Sequence, residues 1–260
     1  MKVAVIDPLN RIIMGLGKEH FKVFEDNDEQ KIVHFSQNTA PISAGIILDI
    51  SGSVKNDDIN EAKSAIAQFL ESSNPNDEYF LITFNQRTKL VRDFSQLKRS
   101  LYNDDLFQKP GGRTALYDAV YLGLYQIHEG KNEEKALILI ADGKDNSSAY
   151  SLSQVREYAK ESTVKIYWIG ARERLGNGVE FRNVVKLTGG RAFFPNTFRD
   201  LEHYIDLISL ELKNQYVLGY RPTNQARDGK WRRIKVKVEA PPKFPKLGVF
   251  AREGYYAPSK

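Results

Sequence analysis

An uninterrupted apolar run that ends in oxygen-bearing side chains lies in the first quarter of the chain. Ile46, Ile47 and Leu48 belong to the run, and Asp49 follows them directly. A continuous rather than alternating apolar pattern is typical of a strand that is covered on both faces, as in a parallel sheet. The run therefore predicts a buried central strand whose carboxyl end presents Asp49.

Strands alternate with amphipathic helices between residues 44 and 213. Apolar residues recur at three- and four-residue steps in the helical segments, as at Ile59, Ala62 and Ile66. A further, polar helix is predicted at about 95–102. This alternation predicts an α/β fold, with a Rossmann-like, doubly wound and mostly parallel sheet that carries helices on both faces. Ligands of such sheets bind beyond the carboxyl ends of the strands.

The two ends of the chain lack helical periodicity and contain short strands. Residues 25–30 are rich in turn formers and predict a hairpin between strands at 21–24 and 32–35, with a loop slightly longer than the tightest kind. We expect the ends to pair into one small β subdomain. The predicted division is N-terminal strands at 1–43, an α/β domain at 44–213 and C-terminal strands at 214–260.

Oxygen side chains recur at three points of the predicted carboxyl edge. Ser51 and Ser53 stand two and four residues after Asp49, so the three side chains can face one point. Thr114 follows a glycine-rich loop at the start of a helix, and Asp142 ends a second buried strand. Carboxylate and hydroxyl oxygens are the ligands that hard divalent cations prefer.

This ordered set resembles the metal-ion-dependent adhesion site of von Willebrand factor type A (VWA) domains, whose pattern is Asp-x-Ser-x-Ser, then Thr, then Asp. Residues 16–26, 216–222 and 252–256 are similar to the end motifs of a bacterial VWFA-related subfamily first catalogued in acidobacteria. His20 and Asn27 depart from the Asp and Gly that this subfamily usually has. Neither residue belongs to the metal set.

The resemblance implies a bound divalent ion, Mg²⁺ or else Mn²⁺ or Ca²⁺, and a protein partner. Hydroxyls of Ser51, Ser53 and Thr114 would ligate the ion, with Asp49 and Asp142 acting directly or through waters. An Asp or Glu carboxylate of the partner would complete the coordination. We expect a ligand-binding rim on the neighbouring loops at four residues: Gly112, Arg113, Gly143 and Asp145.

The favoured function is therefore metal-dependent protein binding without catalysis. The sequence has no Gly-x-Ser-x-Gly, P-loop or Gly-x-Gly-x-x-Gly motif in the required context. An Mg²⁺-dependent hydrolase, with Asp145 as a base, is a less favoured alternative. In a second alternative the chain is a metal-independent scaffold, and the five oxygen side chains only cap loops and turns.

Composition bounds the remaining possibilities. The chain has no cysteine, so disulfides and thiolate metal sites are excluded. No apolar run approaches the roughly 18 residues of a membrane span. The net charge of +5 comes from an excess of basic residues in 215–260, which could indicate nucleic-acid binding. The aromatic residues of this segment are equally well explained by packing on a strand face, so nucleic acid is not expected as a partner. The resemblance implies a periplasmic or extracellular location, with the export signal absent from this sequence, and a cytoplasmic location stays open.

Overall fold

A computed structural model describes residues 1–38, 40–94, 109–170, 178–195, 197–242, 244 and 246–259, and the helix predicted at 95–102 lies outside them. The strands are β1 (Lys2–Ile6), β2 (Phe21–Glu25), β3 (Asp28–Gln30), β4 (Ile32–Asn38), β5 (Ile42–Asp49), β6 (Glu78–Phe84), β7 (Thr88–Arg92), β8 (Glu134–Ile140), β9 (Lys165–Ile169), β10 (Ala192–Phe193), β11 (Gln215–Tyr220), β12 (Trp231–Val238), β13 (Gly248–Ala251) and β14 (Gly254–Tyr256). The α-helices are α1 (Asn56–Ser72), α2 (Leu116–Gln126), α3 (Leu152–Glu161), α4 (Val179–Leu187) and α5 (Leu201–Lys213).

The central sheet has the strand order β10-β9-β8-β5-β6-β7. Its neighbouring strands run parallel, except that β7 is antiparallel to β6 at one edge. All eight residues of β5 are buried, as the continuous apolar run predicts. The strand begins at Ile42, two residues before the expected start of the domain. The α/β class predicted from the sequence is confirmed.

Helices cover both faces of this sheet. On one face α1 and α5 pack against the strands through buried residues that include Ile59, Phe69, Ile205 and Ile208. The other face is covered by α2, α3 and α4 through a second set that includes Leu116, Val120, Val155 and Phe181. Burying each such side chain contributes about 1.5–3 kcal/mol. None of the described helices is long and apolar enough to cross a membrane.

Strands from both chain ends form a β subdomain, which we define as β1–β4 and β11–β14. One of its sheets has the order β13-β1-β11-β4 and the other β14-β12-β2-β3. The two sheets share an apolar core around Val3, Phe21 and Tyr216. Pairing of β1 with β11, and of β2 with β12, therefore joins segments about 200 residues apart in sequence.

The hairpin prediction at the N-terminal end is wrong in two respects. The strand that follows β2 across the turn is β3, whereas β4 pairs with β11. The loop between β2 and β3 contains only Asp26 and Asn27. Their φ angles are positive, 48° for Asp26 and 80° for Asn27. These angles match a two-residue type I′ turn, and Asp and Asn tolerate the left-handed conformation it needs.

A buried charge cluster links the α/β domain to the β subdomain. Glu211 on α5 is fully buried and accepts hydrogen bonds from Arg191 Nη1 at 2.9 Å and Tyr167 Oη at 2.8 Å. Arg191 Nη2 also donates to Asn10 Oδ1 at 2.5 Å, and its guanidinium lies 4.7 Å from the ring centroid of Phe250 on β13. One arginine thus neutralises a buried carboxylate and contacts both parts of the chain.

We expect the Arg191→Met variant to lose about 3–5 kcal/mol of unfolding free energy, because it removes the hydrogen-bonded counter-charge of the buried Glu211 carboxylate and leaves only the more distant Lys165. Urea unfolding followed by circular dichroism measures this loss. The matched control is Arg199→Met, whose side chain is 85% exposed and pairs with Glu61 at 3.4 Å. Such an exposed pair is worth at most about 1 kcal/mol. Equal losses of unfolding free energy in the two variants would contradict the role of Arg191 as the counter-charge of the buried Glu211.

Candidate metal site at the carboxyl edge of the central sheet

Asp49 is the buried carboxylate at the centre of the candidate site. The residue is 1% exposed at the end of β5, and its Oδ1 accepts a hydrogen bond from Ser51 N at 2.7 Å. Its Oδ2 is buried and has no hydrogen-bond partner among the described residues. Burial raises the pKa of this carboxyl to about 6, assisted by the nearby charge of Asp142 and opposed by hydrogen bonds from Ser51 and from the backbone N–H of Asp142. No donor meets Oδ2 in normal hydrogen-bond geometry, so the charge of an ionised Asp49 is less well compensated on that oxygen than on Oδ1.

The two serines of the Asp-x-Ser-x-Ser motif converge in the turn after β5. Ser51 is fully buried, Ser53 is exposed, and their Oγ atoms lie 3.1 Å apart. Val54 N donates to Ser51 O at 3.1 Å and closes the turn. The turn thus brings a buried and an exposed hydroxyl together close to the end of the central strand.

The glycine-rich loop before Thr114 packs directly on this turn. Gly111 N donates to Ile50 O at 2.9 Å, and Gly52 N donates to Gly112 O at 3.0 Å. Gly112 has a φ of +84°, and a Cβ atom there would lie 2.7 Å from Gln86 Oε1. A glycine is favoured because this left-handed backbone conformation is strained for any residue with a Cβ atom, whereas the Gln86 side chain could move aside.

Thr114 is fixed by the loops that follow the two strands on either side of β5. Its N donates to Asn146 Oδ1 at 2.9 Å, and its O accepts from Asn146 N at 2.9 Å. The next residue, Ala115, donates its N–H to Asn85 O at 2.7 Å. Thr114 itself is 4% exposed. Asn146 and Asn85 were not among the predicted site residues. The one sequence signal for them is that each lies in a loop that follows a predicted strand.

Asp142 follows β8 and is half-buried. Its Oδ1 accepts a hydrogen bond from Lys144 N at 3.0 Å, and the preceding Ala141 O accepts one from Trp168 Nε1 at 2.9 Å. Gly143 has a φ of +82°, and a Cβ atom on it would lie 2.3 Å from Trp168 Cζ2. The indole ring therefore fixes the backbone that presents Asp142.

The four residues expected to form the rim differ in their surroundings. Gly112 and Arg113 are exposed, and Arg113 Nη2 donates to Asn146 O. Gly143 is buried under the Trp168 ring. The half-buried Asp145 accepts hydrogen bonds at Oδ1 from two groups, Ser148 Oγ at 2.5 Å and Tyr117 N at 3.3 Å. An open cleft of about 630 Å³ lies beside them, lined by residues that include Tyr117, Lys144, Asp145 and Glu180.

The donor set fits a hard divalent cation. Two carboxylates and three hydroxyls lie on three loops that hydrogen bonds join to one another. Within the described residues, no three His, Cys, Asp or Glu side chains cluster in a way that could hold a metal. A divalent ion here would therefore take its further ligands from hydroxyl oxygens, which suits Mg²⁺, Mn²⁺ or Ca²⁺ and does not suit a thiophilic metal. Within this donor set, the buried Oδ2 of Asp49 is an oxygen that has no hydrogen-bond partner among the described residues.

Solved structures of other proteins share this fold. A von Willebrand factor type A protein from Catenulispora acidiphila superimposes with a TM-score of 0.59 at 14% identity, over 90% of this chain and 65% of that one. Proximal thread matrix protein 1 from the mussel byssus gives a TM-score of 0.56 at 17% identity, over 72% of this chain and 50% of that one.

A curated relative from Borreliella burgdorferi is 26% identical over 197 residues, which are 72% of this chain and 54% of the relative. The chain spans about half the length of the curated relatives it matches. The sequence model of the von Willebrand factor type A domain family matches residues 45–206, the segment that contains the central sheet and all five candidate ligands. Because this match covers more than half of the chain, the protein belongs to the von Willebrand factor type A domain family.

Proposed function

We propose that this VWA domain binds a partner protein through a divalent cation held at Asp49, Ser51, Ser53, Thr114 and Asp142. VWA domains act generally as protein-interaction or adhesion modules. The observation that carries the metal-dependent part is the buried Asp49 Oδ2, which has no hydrogen-bond partner among the described residues. Mg²⁺ is the preferred ion, with Mn²⁺ or Ca²⁺ as alternatives.

The physical reason lies in the cost of burying an ion. Removing a carboxylate from water costs several kcal/mol unless a counter-charge or hydrogen bonds replace the lost solvation. Ser51 N compensates Oδ1 of Asp49, and the nearby Asp142 makes the environment more negative. A cation between the two carboxylates would compensate Asp49 Oδ2 and relieve their mutual repulsion.

The same ligand set explains why the partner would supply an Asp or Glu side chain. Neutral hydroxyls provide three of the five candidate ligands, and wherever Asp49 or Asp142 acts through a water rather than directly, the dication keeps an attraction for one more carboxylate. Mg²⁺ keeps several waters and exchanges one of them for an incoming ligand. A carboxylate gains most from this exchange because the interaction of opposite charges is strong in a partly desolvated site. Exposed Gly112 and Arg113 would face such a partner.

Two alternatives are less well supported. A metal-independent scaffold accounts for the bonds from Ser51 N to Asp49 Oδ1 and from Lys144 N to Asp142 Oδ1, but it leaves Asp49 Oδ2 unexplained. A hydrolase would need a free base, and Oδ1 of Asp145 already accepts two hydrogen bonds. We therefore propose a non-catalytic role. An adhesive role outside the cytoplasm agrees with the similarity to a byssal thread matrix protein.

The wild-type protein should unfold at a higher temperature in Mg²⁺ than in EDTA. A ligand at a hundredfold excess over its Kd adds about 2.7 kcal/mol to the free energy of unfolding. The Asp49→Asn variant should lose this response, yet in EDTA it should unfold at a higher temperature than the wild type because a buried charge is gone. Differential scanning calorimetry measures both effects. Asp206→Asn, at an exposed position of α5, is the control and should respond to Mg²⁺ as the wild type does. A wild type that is indifferent to Mg²⁺, Mn²⁺ and Ca²⁺ would refute the proposal.

The stability of the metal-free protein should depend on pH through Asp49. Its folded-state pKa of about 6 lies above the ordinary aspartate pKa of 3.8, so the folded state binds the proton more tightly between these two pH values. Stability should therefore fall as pH rises from about 4 to about 7, by about 3 kcal/mol in total. The difference between wild type and Asp49→Asn in EDTA isolates this contribution. A difference that does not change over this pH range would contradict it.

Partner binding should require both the ion and an acidic residue. An array of peptides that differ only by Asp or Asn at one position should show selective capture of the Asp peptides in Mg²⁺. EDTA and the Asp49→Ala variant should each abolish the selectivity, because the carboxylate would bind the cation directly. Equal selectivity for Asp over Asn in Mg²⁺ and in EDTA would contradict the metal-dependent proposal and support the metal-independent scaffold instead.

A further inference from the structure

A cationic groove lies between the α/β domain and the β subdomain. It has a volume of about 640 Å³ and is bounded by α3 and α4 on one side and by β12, β13 and the β13–β14 link on the other. Glu253 is the one carboxylate on its walls. Six basic side chains line it: Arg156, Lys160, Lys186, Arg233, Lys235 and Arg252.

Three of these basic residues already have partners. Lys160 pairs with Glu157 at 2.8 Å, and Lys186 pairs with Glu253 at 3.0 Å. Arg252 donates hydrogen bonds to backbone carbonyls, including that of Gly254 at 2.6 Å. These three residues therefore hold the walls of the groove together, and they contribute less to binding an external anion.

The other three, Arg156, Arg233 and Lys235, are exposed, and no salt bridge among the described residues involves them. Arg156 lies on α3, whereas Arg233 and Lys235 stand two residues apart on β12 and so point to the same face of that strand. Positive charge thus faces the groove from both walls. An anionic ligand in the groove would meet these charges without displacing an existing ion pair.

The floor of the groove is apolar, and one of its strands is an edge strand. Leu187, Val249 and Ala251 contribute to the lining, whereas the side chains of Ile234 and Val236, which alternate with Arg233 and Lys235 on β12, point to the apolar core of the β subdomain. Val249 and Ala251 belong to β13, which stands at the edge of its four-stranded sheet. Edge strands are templates for pairing with an added peptide strand, and pockets beside them then select alternate side chains.

We propose that this groove binds an extended segment of a partner protein in which acidic and apolar residues alternate. Alternation would direct carboxylates to Arg156, Arg233 and Lys235 and apolar side chains to the floor. Nucleic acid fits less well, because the ring of Trp231, the aromatic residue of the lining, packs on Tyr256 at 5.0 Å and offers little free surface for stacking. A membrane surface cannot enter a concave groove.

This surface is distinct from the proposed metal site. Helices in such a sheet run back from the carboxyl edge, and the groove residues Lys160, Lys186 and Leu187 lie in the C-terminal halves of α3 and α4, with Arg156 at the middle of α3. The groove therefore opens toward the amino edge, whereas Asp49 lies at the carboxyl edge. Binding at the groove requires no metal.

Fluorescence anisotropy with a labelled peptide of alternating glutamate and valine, in EDTA, tests the proposal. EDTA removes any contribution of a metal at Asp49, and the Asp49→Ala variant should bind as the wild type does. We expect at least a tenfold rise in Kd for the double variant Arg233→Glu/Lys235→Glu, and a smaller rise for Arg156→Glu on the opposite wall. The matched control, Lys18→Glu/Lys31→Glu, changes the net charge equally at exposed positions outside the groove and should stay within twofold of the wild type.

Circular dichroism should show unchanged thermal midpoints for all variants. Affinity should fall as salt is added, because exposed charges are screened. Equal weakening in the groove and control variants would overturn the proposal, since it would indicate attraction by net charge alone. Tighter binding of a lysine–valine peptide, a single-stranded oligonucleotide or anionic vesicles than of the glutamate–valine peptide would also overturn it.

Discussion

The burial of one carboxylate at the end of β5 is the constraint on which the candidate site depends. A strand that is covered along its whole length delivers Asp49 to a position that water hardly reaches. One oxygen is satisfied by the turn that follows, and the other has no partner in the described part of the chain. This uneven compensation of a buried carboxylate is the observation on which the proposed cation site rests.

Strand order explains how the loops reach this carboxylate. Because β5 lies between β6 and β8, the loops after all three strands emerge side by side at one edge of the sheet. Asn85 follows β6 and Asn146 follows β8, and both bind the segment that carries Thr114. The glycine-rich loop closes over the turn after β5 through two backbone hydrogen bonds. The site is thus a consequence of a parallel sheet whose central strand has a neighbour on each side.

The β subdomain adds a second surface of different character. Arg191, which neutralises the buried Glu211 within the α/β domain, joins that domain to the β subdomain through its contacts with Asn10 and Phe250, and the basic groove is lined by the same strand as Phe250. The metal site would attract a carboxylate through a bound cation, whereas the groove would do so through fixed arginine and lysine side chains. A partner that presents acidic residues at two separated points could contact both surfaces, and the gain in affinity would then depend on the length of chain between those points.

The sequence by itself determined the α/β class, the buried central strand and the position of Asp49, Ser51 and Ser53, because periodicity and two-residue spacing are local properties of the chain. The sequence context of Thr114 and Asp142 placed both at the same carboxyl edge, but only the resemblance grouped them with Asp49 as one ligand set, since spacing alone cannot bring residues 65 and 93 positions away to Asp49. The tertiary structure alone decided which strand pairs with β2, that Asn146 fixes Thr114, that Gly143 lies buried under Trp168, and that basic side chains from α3 and β12 face one groove. Each of these contacts joins segments whose approach depends on strand order and on packing across the whole molecule, which no local pattern of residues encodes.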